Sequence, residues 1–200
     1  MRFYLLNTLG NANDDDLCVI SNSVDGIGLG DVGLHTGTRI GDEYPQDARI
    51  YMSPENPGLK LSDVLGNTKN FLMVSRGLKE VVEKQCGDKV EYLPFTLYDH
   101  RKRVHSKDYF ILNPLGTFDC LDLKKSDIVW GESDPNRIVR IEEHVLDRNK
   151  MKDAPQLFRI DRHPTAYVLG VDLATEIHGH KFSNIYWRKL RFGDEVPARA

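Results

Sequence analysis

Gly28, Gly30 and Gly33 stand in the order G-x-G-x-x-G inside the stretch DGIGLGDVGLHTGTRIG (25–41). Glycines at this spacing let a backbone approach a pyrophosphate, provided that a strand precedes them and a helix follows to face the phosphates. Residues 17–20, LCVI, can supply the strand. The pattern offers no helix. Gly37, Gly41 and Pro45 come next, with Thr36, Thr38 and Asp42 among them, which is turn chemistry. The acid expected about 20 positions on would fall near Glu55, inside the turn-like SPENPG. The stretch therefore reads as a turn-rich connection that can serve as a contact surface. No cofactor is expected.

Other chemistry-bearing groups are incomplete. His178 and His180 form H-x-H, but a tetrahedral metal site needs more ligands. A histidine in the last turn of a helix also interacts well with the helix dipole. Asp14, Asp15 and Asp16 are consecutive, unlike the alternating acids of a calcium loop. They read as a solvated loop, or as a negative patch that meets a basic partner. The run RKRVHSK (101–107) lacks the interleaved aromatics of a nucleic-acid groove. It reads as an exposed connection, and a nucleic-acid partner is disfavoured. No G-x-S-x-G, H-E-x-x-H or P-loop occurs, so no catalytic or metal residue is assigned.

The bulk numbers bound the class. The chain has 200 residues, 40% of them hydrophobic, which suffices for a real core. Its formal net charge is -3, unevenly spread. Residues 1–65 hold ten acids against four Lys and Arg. Such an acidic part can steer a basic partner. The opening MRFYLLN is too short for a signal-peptide core, and no run approaches a membrane span. Cys18, Cys86 and Cys120 are odd in number and scattered. They read as reduced, packed thiols of a cytoplasmic protein.

The elements that must position these groups come from internal similarity. FYLLNTLG (3–10) returns as YFILNPLG (109–116), shifted by 106 residues. FLMVSRGLKEVVEKQCGDKVEYLPF (71–95) aligns with AYVLGVDLATEIHGHKFSNIYWRKL (166–190), shifted by 95 without a gap. The first copy reads strand–helix–strand. Residues 72–74 are apolar, Ser75 can cap a helix, and Leu78, Val81, Val82 and Gln85 keep helical spacing. Gly87 can end that helix, and Val90 and Tyr92 begin an alternating strand. The second copy repeats the plan, with Asp172 near the helix start and Gly179 near its end. Trp187 matches Tyr92 and is expected in the core or half-buried, as is Trp130.

The expected fold is α+β, with helices packed on mixed sheets. It has two tandem pseudo-repeated halves, 1–98 and 108–200, each with a leading strand and a closing strand–helix–strand. A glycine-rich acidic insert at about 11–65 lies in the first half. Residues 99–107 would link the halves, which can also form one compact unit. Residues 194–200 read as a frayed tail.

Two segments carry a resemblance. FILNPLGTFDCLDLKKSDIVW and RIVRIEEHVLDRNKMKDAPQLFRID resemble the immunity proteins of bacterial polymorphic toxin systems. That group was first catalogued as a domain of unknown function and has many myxobacterial members. The matching marks are the strand ending at Asn113, DCLDLKKS (119–126), VLD (145–147) and LFRI (157–160). In the first half, FLMVSRGLKEVVE and VEYLPF look like the same family's repeated unit. Residues 66–190 match best and 11–65 poorly.

The resemblance implies a cytoplasmic protein that binds a cognate protein toxin and blocks it without chemistry. The partner surface expected from charge is Asp14, Asp15, Asp16, Asp25 and Asp31. The alternative is a non-enzymatic regulator that inhibits a host protein, such as a protease or a developmental signalling factor. An enzyme with an unrecognised site is the third reading. The sequence leaves the oligomeric state open.

Overall fold

The computed structural model describes residues 1–135 and 138–195. In chain order, β1 (Phe3–Asn7) is followed by β2 (Val19–Ile20), α1 (Gly30–Thr36), β3 (Arg49–Tyr51) and β4 (Gly66–Asn67). Then come β5 (Leu72–Ser75), α2 (Arg76–Cys86), β6 (Val90–Tyr98) and β7 (Val104–Pro114). The short strands β8 (Asp127–Trp130), β9 (Ile138–Glu143) and β10 (Val145–Leu146) lead to β11 (Leu157–Ile160) and β12 (His163–Gly170). The last elements are α3 (Val171–His180), β13 (Tyr186–Lys189) and β14 (Arg191–Phe192). The fold is α+β.

The unit β5-α2-β6 forms where its periodicity places it. Ser75 sits in extended backbone and its side chain accepts from the Leu78 amide at 3.4 Å, satisfying one of the free N–H groups of the first turn. Gly87 ends the helix at φ 52°. Leu78, Val81, Val82 and Cys86 are buried. The unit β12-α3-β13 repeats the plan. Its helix runs one residue past Gly179 and stops at Lys181, which is left-handed at φ 57°.

Two four-stranded sheets carry the molecule, ordered β3-β6-β7-β5 and β11-β12-β1-β13. In each, a strand from elsewhere in the chain lies antiparallel between the two strands of a strand–helix–strand unit. β7 separates β5 from β6, and β1 separates β12 from β13. The registers coincide under the two sequence shifts. Phe3↔Gly170 corresponds to Tyr109↔Ser75, Tyr4↔Leu169 to Phe110↔Val74, and Asn7↔Tyr186 to Asn113↔Glu91. β1 thus lies in the sheet of β12 and β13, and β7 in that of β5 and β6, so neither sheet is confined to one of the halves expected at 1–98 and 108–200.

Residues 99–107 are not a free connection between halves. Residues 99–103 turn the β6-β7 hairpin, and 104–107 already belong to β7. Asp99 closes the turn. Its Oδ1 accepts from the Arg101 and Arg103 amides at 2.8 and 2.9 Å, and its Oδ2 from Arg103 Nε and Nη2 at 3.0 and 2.8 Å. These donors hold its carboxyl at about 2.

Strand alternation divides the interior into three layers. Leu72, Val74, Phe110 and Leu112 from one sheet, Leu157, Tyr167 and Leu169 from the other, and both long helices share the central cluster. The opposite face of the first sheet, with Met73, Leu93, Phe95 and Ile111, is covered by residues of the 18–52 stretch. The opposite face of the second, with Phe3, Phe158 and Val168, is covered by residues between 118 and 154 and by Leu190 and Phe192. The insert expected to be a turn-rich connection is therefore half of a core layer. Ile20, Leu34 and Ile50 are wholly buried. Most of the tail expected at 194–200 lies outside the described residues. Its first two residues are held, Asp194 Oδ2 by Arg148 Nε at 2.7 Å and Glu195 Oε1 by Arg148 Nη2 at 3.5 Å.

Candidate partner-binding surface

The glycine-rich stretch contains a helix after all. α1 spans Gly30–Thr36 and includes Gly33, so no phosphate loop precedes a helix in the manner the motif requires. The glycines make room for neighbouring chain. A Cβ on Gly30 would meet Ile27 at 3.0 Å, and one on Gly33 would meet Ile40 at 3.3 Å. Gly37 ends the helix left-handed at φ 78°, and a Cβ there would lie 2.8 Å from both Arg159 and the Pro114 carbonyl.

A buried polar network fixes α1 to both sheets. Arg159, 1% exposed, donates through Nε to the Pro114 carbonyl at 3.0 Å and through Nη1 to that of Pro164 at 2.6 Å. Its Nη2 reaches the Leu34 carbonyl at 2.8 Å and Asn113 Oδ1 at 3.0 Å. Its guanidinium lies 4.6 Å from the centre of the Tyr167 ring. Asn113 passes the connection on, donating to Glu91 Oε2 at 3.0 Å and to the Thr38 carbonyl at 2.9 Å. Glu91 also accepts from the Ile40 and Gly41 amides at 3.1 and 2.9 Å. Burial lowers the Arg159 pKa, and the Tyr167 contact opposes the shift.

The five aspartates expected to meet a partner divide by environment. Asp14 is spent internally: its Oδ2 pairs with Lys60 Nζ at 3.2 Å and its Oδ1 accepts from the Asp16 amide at 3.2 Å. Asp31 is half-buried, accepts from Ser23 Oγ and lies 3.6 Å from His35 Nε2. Burial lowers the His35 pKa against the pull of Asp31. Asp15, Asp16 and Asp25 are exposed, and their carboxylates make no hydrogen bond or ion pair among the described residues.

The run 14–16 is rigidly mounted. The Lys60 amide donates to the Asp16 carbonyl and the Cys18 amide to the Lys60 carbonyl, both at 2.9 Å. Gly58 lies so close beneath that a Cβ would fall 2.7 Å from the Asp15 carbonyl oxygen, and nearer still to that of Leu17. Asp15 and Asp16 border one shallow depression with Leu59. Asp25 borders a second, of about 400 Å³, with Tyr51, His100 and Lys102. The structure thus does not gather all five acids into one patch.

Exposed apolar side chains occur along the same stretch, and Leu59 borders the depression of Asp15 and Asp16. Leu29, at the start of α1, is 86% exposed, Val32 59% and Leu59 48%. The sequence pattern shows no helix at Gly30–Thr36, so it carries no signal that Leu29 and Val32 face outward. Exposed apolar side chains beside unpaired charge are suited to macromolecular contact.

The remaining expected chemistry is accounted for by packing. Cys18, Cys86 and Cys120 are buried, with pKa values pushed up to about 12, 11 and 12 by burial, so none is a thiolate at neutral pH. His178 and His180 lie in the last turn of α3, and the His180 ring stacks on Phe182 at 5.3 Å. Among the described residues, no group of three His, Cys, Asp or Glu side chains is placed to hold a metal ion. No helix among them is long and apolar enough to cross a membrane.

The chain matches the immunity protein family Imm11 over residues 7–191. It belongs to that family. The match takes in the whole first sheet, the second sheet apart from most of β1, the buried Arg159 network and the acidic stretch, so it extends well beyond the region of strongest motif resemblance. No curated protein matches the chain.

Proposed function

We propose that this immunity protein acts in the bacterial cytoplasm by binding one cognate toxin stoichiometrically and blocking it, without catalysis. Membership of the Imm11 family carries the reading. Exposed features of the acidic stretch support it: unpaired carboxylates at Asp15 and Asp16 beside Leu59, a further one at Asp25, and exposed Leu29 and Val32 a few residues on. Carboxylates of this kind speed association with a basic partner, and the apolar side chains supply burial once water is excluded. Asp14 and Asp31 belong to the same surface as supports, holding its loops through Lys60, Ser23 and His35.

The test is co-expression with a candidate toxic domain drawn from a neighbouring gene. The proposal requires protection of the cells and co-purification of the two chains in one complex. Protection without a complex would overturn stoichiometric blocking, and neither protection nor a complex would remove that toxin as the partner.

A further inference from the structure

A groove of about 660 Å³ opens on the β11-β12-β1-β13 sheet. Leu5, Ala166 and Arg188 line its sheet side, and His144, His163 and Val139 border it. Although the chain holds 30 acids, none lines this groove. Arg188 is exposed and makes no ion pair among the described residues. Glu143 is near enough to feel its charge, but its Oε1 is held by Arg191 Nε at 2.5 Å.

The protons in the groove can be assigned. Arg188 Nη2 lies 2.9 Å from His144 Nδ1. A guanidinium only donates, so Nδ1 carries the lone pair and the neutral ring keeps its proton on Nε2. His144 is 6% exposed, and Nε2 is its second ring nitrogen, without a protein partner. Burial and the Arg188 charge lower the His144 pKa to about 4, and burial lowers that of His163, whose ring lies 6.2 Å away. Among the described residues, the groove lining therefore presents one fixed positive charge, Arg188, and no carboxylate. Val139 and Tyr186, 59% and 47% exposed, offer apolar surface beside it.

We infer that this groove receives an acidic side chain of a protein partner, its carboxylate on Arg188 and its methylene stem against Val139 and Tyr186. A guanidinium matches a carboxylate in a two-bond fork. That the acid belongs to the toxin rests on the proposed function; the preference for a carboxylate does not. The toxin would then be held at two places of opposite charge, by carboxylates on the acidic stretch and by a cation here.

The isolated protein is titrated with glutarate and, separately, with its neutral isostere glutaramide, following the ring signals of His144 and His163 by NMR. Expected is a saturable shift with glutarate, little with glutaramide, and loss of the response in Arg188→Gln, whose remaining spectrum reports that it is folded. Equal response to both compounds, no response at high millimolar glutarate, or a response that survives Arg188→Gln overturns the inference. Inorganic phosphate is the third probe, and tighter binding of phosphate than of glutarate also overturns it. Since no toxin is present, failure here leaves the immunity reading standing, and failure to capture a toxin leaves this titration unaffected.

Discussion

Replacing Arg159 by methionine removes the donor that ties the two sheets to α1. Four acceptors lose their partner: the carbonyls of Leu34, Pro114 and Pro164, and Asn113 Oδ1. A buried acceptor left unpaired costs about 1–3 kcal/mol, and hydrogen bonds to a charged group contribute about 1.5–3 kcal/mol each. Against this, methionine does not carry a charge into the interior, which recovers part of the desolvation cost. The Tyr167 ring also loses its cation, worth about 1 kcal/mol. The balance is a loss of about 3–5 kcal/mol, a large share of the roughly 5–15 kcal/mol typical of a folded domain. Urea unfolding would show a lower midpoint at unchanged slope. Hydrogen exchange would show α1 and the Ile40 and Gly41 amides opening more readily. Glu91→Gln presents an amide to one of the three donors now facing Glu91, so it should lose less, about 1–2 kcal/mol. A loss below about 1 kcal/mol for Arg159→Met would refute the view that this network mounts α1.

Acid should weaken the fold in two windows. His144, held at about 4 against an ordinary 6.5, takes its proton later than the unfolded chain does. Its contribution is complete above about pH 6.5 and is lost as the pH falls to about 4, by at most about 3 kcal/mol. His35 and His163 shift in the same direction. Arg188 and His163 face His144, and Glu143 precedes it in the chain with its carboxylate on Arg191. His144→Phe should flatten this window in a pH series of unfolding midpoints. Asp63, lowered by its bonds to Ser75 and Ser183, and Asp99 act below about pH 4. Gly58→Ala forces a Cβ against fixed backbone and should cost about 1–3 kcal/mol, seen as a fall in melting temperature. The three thiols should resist a thiol reagent in the native protein and react on unfolding, and rapid native labelling would contradict their burial.

Local signals carried much of the fold. β5-α2-β6 was legible because helical spacing, the Ser75 cap and Gly87 agree with one another. α1 was not, since Gly30 and Gly33 are poor helix formers and are present because Ile27 and Ile40 need their space. That choice is made by contacts distant from any local pattern. The place of β1 between β12 and β13 was hidden for the same reason, since strand pairing is settled between remote segments. The basic run at 101–107 concealed a hairpin because its turn depends on one acid, Asp99, just before the run. Arg159 was visible only as a charged residue within the apolar LFRI. A cation in an otherwise buried strand is a usable sign of a polar anchor. His144 gave no such sign, and its role emerges only beside Arg188.

Protection through a complex made at the acidic stretch is tested by calorimetric titration of the purified chain, as wild type and as Leu29→Asp, with the candidate toxic domain. Expected is a one-to-one complex whose affinity falls at least about tenfold in Leu29→Asp, equivalent to about 1.4 kcal/mol, with protection of cells falling alongside. Unchanged affinity in Leu29→Asp would refute this surface, and protection with no measurable binding by wild type would refute the complex.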